Sequence, residues 1–242
     1  MTVDSEGRAG ASAAGSQTLS RGLSLLEAIA EYEQGLTIPQ LCERVGLHRS
    51  IVYRLLRTLE AHNMVVRGAD GVVTLGPNLL VLARSVSRDV QAAALPELTR
   101  LSQGLQMTAF IAVLTQDQVV TLVSVEPKVD GATLVQRPGS AHPLDAGAPG
   151  AAIRAQLGTA ELAARGLAHP ELLGDAAAPY TKSRSQVLTG VSSIAVPLRV
   201  PGYAAASLAV VFVGSEDDAG VASALHLSAS VIEAELLSVG RL

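Results

Sequence analysis

Two short helical patterns separated by a single glycine constrain the fold of this chain more than any other feature. Residues 37–45 (TIPQLCERV) favour a helix, because Thr37 is a good N-cap and the apolar residues that follow share one face. Gly46 then ends the helix, as a tight helix–helix turn requires. The spacing predicts a second helix over 48–62. Its apolar face comprises Ile51, Val52, Leu55, Leu56 and Leu59.

A hairpin signal follows the second predicted helix. Two short apolar runs, Val65–Val66 and Val72–Val73, flank the pair Asp70-Gly71. An Asp-Gly pair between such runs is a strong signal for a β-hairpin. Helix, glycine turn, helix and hairpin in this order predict a winged helix-turn-helix over residues 18–77.

The outward face of the second predicted helix is polar and basic. It comprises Ser50, Tyr53, Arg54, Arg57 and Ala61. An apolar back and such a front suit the DNA major groove, where the front offers donors to bases and phosphates. The predicted DNA-binding residues are Thr37, His48, Arg49, Ser50, Tyr53, Arg54, Arg57 and Arg67.

The expected roles of these residues differ. Ser50, Tyr53 and Arg54 are candidates for base or groove contacts, and the remaining arginines are candidates for phosphate contacts. Three alternatives stay open at this point. In the first, the segment is an ordinary helical hairpin with a solvated basic face. In the second, His48 is only a local cap of the helix. In the third, Arg54 braces the fold through an acid such as Glu27.

Charge is distributed unevenly along the chain. The 242 residues carry a net charge of −4, yet residues 48–67 hold four arginines against the single acid Glu60. Residues 78–242 hold 11 basic and 14 acidic residues. A basic patch on an otherwise acidic chain favours a DNA reader with a separate domain that does not contact DNA.

Composition also indicates the cellular location in which the chain is expected. Cys42 is the only cysteine, so an intrachain disulfide is excluded and a reducing cytoplasm is the simplest location. No run approaches the roughly 18 apolar residues of a membrane helix, and no membrane partner is expected. Residues 1–17 lack the apolar core of a signal peptide and are expected to be a disordered tail.

The pattern after the hairpin predicts a second, larger domain. Before the hairpin, we expect the first helix of the DNA-binding unit to be capped by Ser20. After the hairpin, we expect a linker helix over 78–92, an interruption of the helical stripe near Pro96, a helix over 95–104, and an effector-binding and oligomerisation domain over 93–242. Its predicted elements are strands at Thr108–Thr115, Gln118–Val125, Ala132–Val135, Ser192–Val200 and Ala204–Val213, and helices at Ala146–Leu157 and Glu216–Leu237. Strands joined by short turns and flanked by helices indicate an α+β fold with an antiparallel sheet.

Four segments together resemble the IclR family of transcriptional regulators. They are GLHRSIVYRLLRTLE (46–60), LGPNLLVLA (75–83), HPLDAGAPGAA (142–152) and GVSSIAVPL (190–198). The resemblance implies an N-terminal winged helix-turn-helix, a linker helix and a C-terminal GAF-like effector domain. It also implies dimers, or dimers of dimers, on operator DNA, with a small organic acid or aromatic effector.

The resemblance implies effector-binding residues in the second domain. These are Leu144, Ala148, Gly150, Ser183, Ser193, Ala209 and Val211. The chain departs from the family pattern here, since two acidic positions of the family fall on Ser183 and Gln186 and its cysteine falls on Ser193. Because buried polar ligand groups need partners, we predict a small organic effector that is relatively apolar. The alternative is a collapsed pocket in a domain that only oligomerises.

Other chemistries have no support in the sequence. There is no nucleophile elbow, phosphate loop or dinucleotide fingerprint, and no metal-ligand spacing among histidines or around Cys42. We therefore expect no enzyme, no cofactor and no metal. The predicted function is a cytoplasmic transcriptional regulator that binds double-stranded, pseudo-palindromic operator DNA as a homodimer or tetramer. The alternative is an effector-independent DNA-binding oligomer with a structural second domain.

Overall fold

The chain divides into two compact units, residues 1–86 and 87–242. The computed structural model describes residues 16–84, 86, 88–128, 134–203, 205–214 and 216–239. The predicted tail therefore lies, except for Ser16 and Gln17, outside the described residues. The two units are described in turn.

The first unit is helical with one small sheet. Its elements are α1 (Gln17–Ala30), β1 (Leu36–Thr37), α2 (Ile38–Val45), α3 (Arg49–Ala61), β2 (Val65–Arg67), β3 (Val72–Leu75) and α4 (Asn78–Ala83). The sheet has the antiparallel order β1-β3-β2. The predicted helix-turn-helix and hairpin are confirmed, whereas β1, only two residues long, gave no pattern in the sequence.

One apolar cluster holds the first unit together. It contains, among others, Leu25, Ile29, Leu41, Val52 and Leu56, each almost fully buried. These residues come from α1, α2 and α3, so burial fixes the inner face of every helix. At roughly 2 kcal/mol for each buried leucine or isoleucine side chain, this packing dominates the stability of the unit.

Helix ends in the first unit follow local chemistry. Gly46 adopts a left-handed conformation (φ 63°, ψ 29°) at the end of α2, which explains the need for glycine in this turn. The predicted start of α1 was wrong, because Ser16 and not Ser20 is the N-cap. The Oγ atom of Ser16 accepts a hydrogen bond from the Leu19 N–H at 3.4 Å.

The predicted linker helix over 78–92 is two helices. The first, α4, ends at Ala83, and α5 (Arg88–Leu105) begins the second unit. The predicted break near Pro96 was wrong, because α5 continues through this proline. Proline removes one backbone hydrogen bond, but the stripe Val90, Ala94, Leu98 and Leu101 remains buried on one face. Tertiary packing of this stripe outweighs the local cost.

The second unit is built around a six-stranded antiparallel sheet. After α5 its elements are β4 (Thr108–Thr115), β5 (Gln118–Val125), β6 (Ala141–Pro143), α6 (Gly147–Arg154), α7 (Thr159–Ala164), β7 (Thr181–Arg184), β8 (Val191–Leu198), β9 (Ala206–Val213) and α8 (Asp218–Val239). The strand order is β6-β5-β4-β9-β8-β7. The predicted α+β class with an antiparallel sheet is confirmed.

Helices cover both faces of this sheet. Because side chains alternate along a strand, Ile111 and Ile194 join the cluster under α5 and α8. Their neighbours Phe110 and Ala195 join the cluster that includes α6. Burial on both faces explains why β4 is a continuous apolar run in the sequence.

Several predicted strands differ from those observed. The edge strands β6 and β7 were missed, since short edge strands carry little periodicity. In the predicted strand Ala132–Val135, residues 132 and 133 lie outside the described residues, and Leu134 and Val135 are not in a strand. Helix α6 is shorter than predicted and ends at Arg154.

Helix α8 is long and apolar enough, by length and composition, to cross a membrane over Asp218–Ser238. Its described residues nevertheless contribute a buried stripe to the sheet core, including Val221, Leu225, Ile232 and Leu236. Packing of this kind is what the central helix of a globular domain shows.

Candidate DNA interface and ligand cavity

Helix α3 separates an apolar inner face from a polar outer face. Val52, Leu55 and Leu56 are buried in the core of the first unit. On the outer face Arg49, Ser50, Arg54 and Arg57 are exposed, as the periodicity predicted. The core therefore fixes the orientation of a surface rich in hydrogen-bond donors.

His48 caps the N-terminus of α3. Its Nδ1 atom lies 3.4 Å from the Ser50 N–H, which donates to it, and 2.9 Å from the Ser50 Oγ atom. The capping role that the sequence left open is thus present. The Nε2 atom of His48 is not used by the cap, so the prediction that His48 also contacts DNA stays a prediction.

Tyr53 lies between two guanidinium groups. Arg49 donates to the Tyr53 hydroxyl at 3.2 Å, and its guanidinium carbon lies 5.4 Å from the ring centroid. The hydrogen bond to Tyr53 raises the pKa of the Arg49 guanidinium above its ordinary value. Arg67, on β2, also lies 5.4 Å from this ring centroid and forms an ion pair with Glu60 at 3.0 Å. Tyr53 and Arg67 are therefore half-buried parts of one cluster.

Arg54 and Arg57 lie outside the cluster around Tyr53. Both are exposed, and among the described residues neither forms an ion pair with an acid. The alternative in which Arg54 is paired with Glu27 has no support in the structure. Both guanidinium groups can therefore meet an anion without first breaking a contact within the protein.

Thr37 is the N-cap residue of α2 and is hydrogen-bonded within it. The Gln40 Oε1 atom accepts hydrogen bonds from the Thr37 N–H at 2.8 Å and from its hydroxyl at 2.7 Å. The predicted N-cap at the start of α2 is confirmed. Its predicted role in DNA binding stays a prediction.

The second unit contains a cavity of about 50 Å³ beside the N-terminus of α6. Three of the predicted effector-binding residues line it: Ser183, Ser193 and Val211. The other lining residues are Phe110, Gln136, His142, Gly147, Pro149, Gln186, Val187, Leu188 and Val191. Among these twelve residues only His142 can carry a positive charge.

The other four predicted effector-binding residues do not line this cavity. Leu144, Ala148 and Ala209 are buried in the apolar cluster that includes α6. Gly150 packs on Leu144, since a Cβ atom placed on Gly150 would lie 2.5 Å from the Leu144 carbonyl oxygen. These residues form the packed core behind the cavity wall.

The N-terminus of α6 is satisfied by side chains from the segment around β7. The Ala148 N–H donates to the Ser183 Oγ atom at 2.9 Å, and the Gly147 N–H donates to the Gln186 Oε1 atom at 2.9 Å. The Thr181 hydroxyl donates to the Ala148 carbonyl at 2.8 Å. The first donors of this helix, which would otherwise favour an anion, are thus already paired.

Ser193 is the exception among the polar side chains of the cavity. It is 7% exposed, and its Oγ atom has no hydrogen-bond partner among the described residues. An unpaired buried hydroxyl costs about 1–3 kcal/mol. Ser183 lies opposite Ser193 in the β7–β8 pairing, but its hydroxyl is used by Ala148.

Residues 18–69 match the model of the IclR helix-turn-helix domain. This segment is an IclR-type helix-turn-helix domain. The matched segment covers α1 to α3 and the first strand of the hairpin, so the family assignment rests on the part of the chain that carries the basic outer face.

One curated relative is an HTH-type transcriptional regulator. The chain is 34% identical over 144 residues to the HTH-type transcriptional regulator Rv1719 of Mycobacterium tuberculosis. The alignment covers 59% of this chain and 55% of that protein. The chain thus spans about half the length of this relative.

Solved structures share the fold over most of the chain. An IclR transcriptional regulator from Alicyclobacillus acidocaldarius superposes with a TM-score of 0.78 at 24% identity and covers 91% of this chain and 99% of that one. An IclR homolog from Microbacterium hydrocarbonoxydans, complexed with 4-hydroxybenzoate, superposes with a TM-score of 0.73 at 22% identity, with the same coverage. These likenesses establish the fold of both units.

Most of the cavity wall was not predicted from the sequence. Gln136 and His142 precede or form the edge strand β6, and Val187 and Leu188 lie in the turn between β7 and β8. None of these positions has a periodic pattern. The three lining residues that were predicted, Ser183, Ser193 and Val211, came from the resemblance to the family.

Proposed function

We propose that the chain is a transcriptional regulator that binds double-stranded operator DNA through the outer face of α3. The observation that carries this proposal is the exposed set Arg49, Ser50, Arg54 and Arg57 on a helix whose back is locked into the core. A rigid helix with exposed donors fits the major groove, and the hairpin β2–β3 supplies the wing. The names of the curated relatives support the same function.

We further propose that a homodimer, or a tetramer built from it, binds a pseudo-palindromic site. Support comes from apolar surface in the first unit, where Leu80 is 76% exposed and Val81 60% exposed. Helix α4 contains no buried residue, and Leu19 and Leu23 of α1 are also exposed. Apolar surface of this kind favours a protein interface, and two-fold symmetry would pair one α3 with each half-site.

A small ligand in the cavity would modulate this binding. The homolog from Microbacterium hydrocarbonoxydans binds 4-hydroxybenzoate, and the cavity of the present chain supports ligand binding in the second unit. A second candidate is an effector-independent DNA-binding oligomer. The small cavity volume and the internally satisfied N-terminus of α6 favour this second candidate. We place the protein in the cytoplasm and expect no enzymatic turnover.

Fluorescence anisotropy tests the proposed function. The full chain is titrated onto labelled DNA from upstream of its own gene and of the neighbouring genes, with scrambled DNA as competitor. We expect at least one fragment to bind more than about 1,000-fold tighter than scrambled DNA, as specific regulators do. Equal affinity for every fragment and its scrambled control would contradict sequence-selective binding.

A further inference from the structure

The cavity beside α6 has a buried polar atom without a partner in a largely apolar wall. Ser193 projects from β8 towards the cavity, is more than nine-tenths buried, and its Oγ atom lacks a partner among the described residues. Phe110, Val191 and Val211 provide apolar surface around it. A buried hydroxyl without a partner is a position at which a ligand group gains a hydrogen bond without displacing one.

The wall of the cavity is poorly suited to bind an anion, because its backbone donors are already paired. The two N–H groups at the start of α6 donate to Ser183 and Gln186, so the chain itself fills the position at which a carboxylate would be bound. The Gln136 Nε2 atom donates to the Thr121 hydroxyl at 2.7 Å. His142 is the one ionisable residue of the wall, and its Nδ1 atom lies 3.0 Å from the Pro143 carbonyl oxygen.

We propose that the cavity binds a small uncharged molecule with an apolar body and a single hydroxyl, or a similar polar group, that pairs with Ser193. This inference rests on the proposed ligand-responsive function and adds the chemical class of the ligand. An anion would lose its hydration, the two backbone N–H groups at the start of α6 are already paired, and His142 alone could supply a compensating charge. Val187 and Leu188 line the cavity and are half-exposed, so a ligand larger than the enclosed volume extends past them to the surface.

Three probe ligands separate the contributions of a ligand hydroxyl and of a ligand charge to the binding affinity. Phenol has the proposed character and is uncharged near pH 7, since phenolic groups ionise near pH 10. Toluene replaces its hydroxyl by a methyl group, and 4-hydroxybenzoate adds a carboxylate to it. Isothermal titration of the full chain gives a Kd for each probe. We expect phenol to bind roughly fivefold tighter than toluene and at least about tenfold tighter than 4-hydroxybenzoate.

Variants at two adjacent serines assign the hydroxyl contact. In Ser193→Ala the ratio of the toluene and phenol Kd values should fall to about one, because the partner of the ligand hydroxyl is gone. Ser193→Cys, which retains only a weak donor, should shift the ratio in the same direction. The matched control is Ser192→Ala, because Ser192 is buried in the same strand but alternates to the opposite face of the sheet. This control should keep the wild-type ratio.

Each contrary outcome has a distinct meaning. Tighter binding of 4-hydroxybenzoate than of phenol would overturn the ligand class and leave ligand-responsive regulation standing. An unchanged ratio in both Ser193 variants would overturn the assignment of Ser193. Failure of all three probes to bind, in protein that still binds its operator, would overturn both the ligand class and the ligand-responsive part of the proposed function.

Discussion

The Nε atom of Arg67 lies 3.0 Å from the Oε1 atom of Glu60, which links β2 to the C-terminal end of α3. Arg67 is also within cation–π distance of Tyr53. A phosphate must therefore compete with Glu60 for this guanidinium. The ion pair is partly exposed and contributes about 1 kcal/mol or less to stability, so a phosphate can displace it.

Releasing Arg67 should strengthen DNA binding. We predict that Glu60→Gln raises affinity for all sequences several-fold, because a negative charge beside the DNA is removed and Arg67 gains a phosphate. The slope of log K against log salt should steepen by about one unit. Anisotropy titrations at four salt concentrations measure both effects.

The control for this prediction is Glu27→Gln on α1. It removes the same charge from an exposed acid and should leave the salt slope unchanged. A slope in Glu60→Gln equal to that of the wild type would show that Arg67 does not reach a phosphate.

A partly exposed ion pair within α5, linked to α8 by a hydrogen bond from Ser228, makes stability depend on pH. Burial alone raises the pKa of Glu97, but hydrogen bonds from Arg100 and Ser228 outweigh it and lower the pKa below its ordinary value of 4.5. The carboxylate lies 2.9 Å from Arg100 and 2.7 Å from the Ser228 hydroxyl, which is fully buried. A group with a lowered pKa stabilises the fold above its unfolded pKa and loses this effect as pH falls through its folded pKa.

We therefore predict that Glu97→Gln lowers the free energy of unfolding by about 1–2 kcal/mol at pH 7. The difference from the wild type should shrink as the pH falls below about 4.5, as urea titrations at several pH values would show. Glu161→Gln, in an exposed pair with Arg165, is the control and should change stability by less than about 0.5 kcal/mol. A difference for Glu97→Gln that is constant from pH 7 to pH 3 would argue against this origin.

The exposed apolar face of α4 makes the proposed dimer testable. We predict that Leu80→Glu weakens self-association at least tenfold, because a charge is placed in an interface that excludes water. Sedimentation equilibrium measures the dimer constant. Leu172→Glu, at an exposed leucine of the second unit, should leave it unchanged. Equal dimer constants for the two variants would place the interface elsewhere.

The DNA-binding unit was largely predictable from the sequence. Periodicity identified the inner face of α3 because Val52, Leu55 and Leu56 pack on one core. Gly46 marked the turn because glycine adopts φ 63° at a lower cost than residues with a side chain. The contacts of Arg67 were not predictable. They depend on the pairing of β2 with β3, which fixes the position of Arg67 beside α3.

The second unit was predictable in class but not in its cavity. Apolar runs identified β4, β5, β8 and β9, since burial on both faces makes such strands apolar throughout. The partners of Ser183 and Gln186 were not predictable. They are backbone N–H groups of α6, some 35 residues away in the sequence, and backbone groups carry no sequence signature.

If the outer face of α3 binds DNA, as we propose, the salt dependence of operator binding in arginine variants measures its contribution directly. Arg57→Ala should flatten the slope of log K against log salt by about one unit and leave the ratio of operator to scrambled affinity unchanged. Arg54→Ala should reduce that ratio by about tenfold or more. Arg199→Ala, an exposed arginine of the second unit, should behave as the wild type. Wild-type slopes and ratios in both α3 variants would contradict the account.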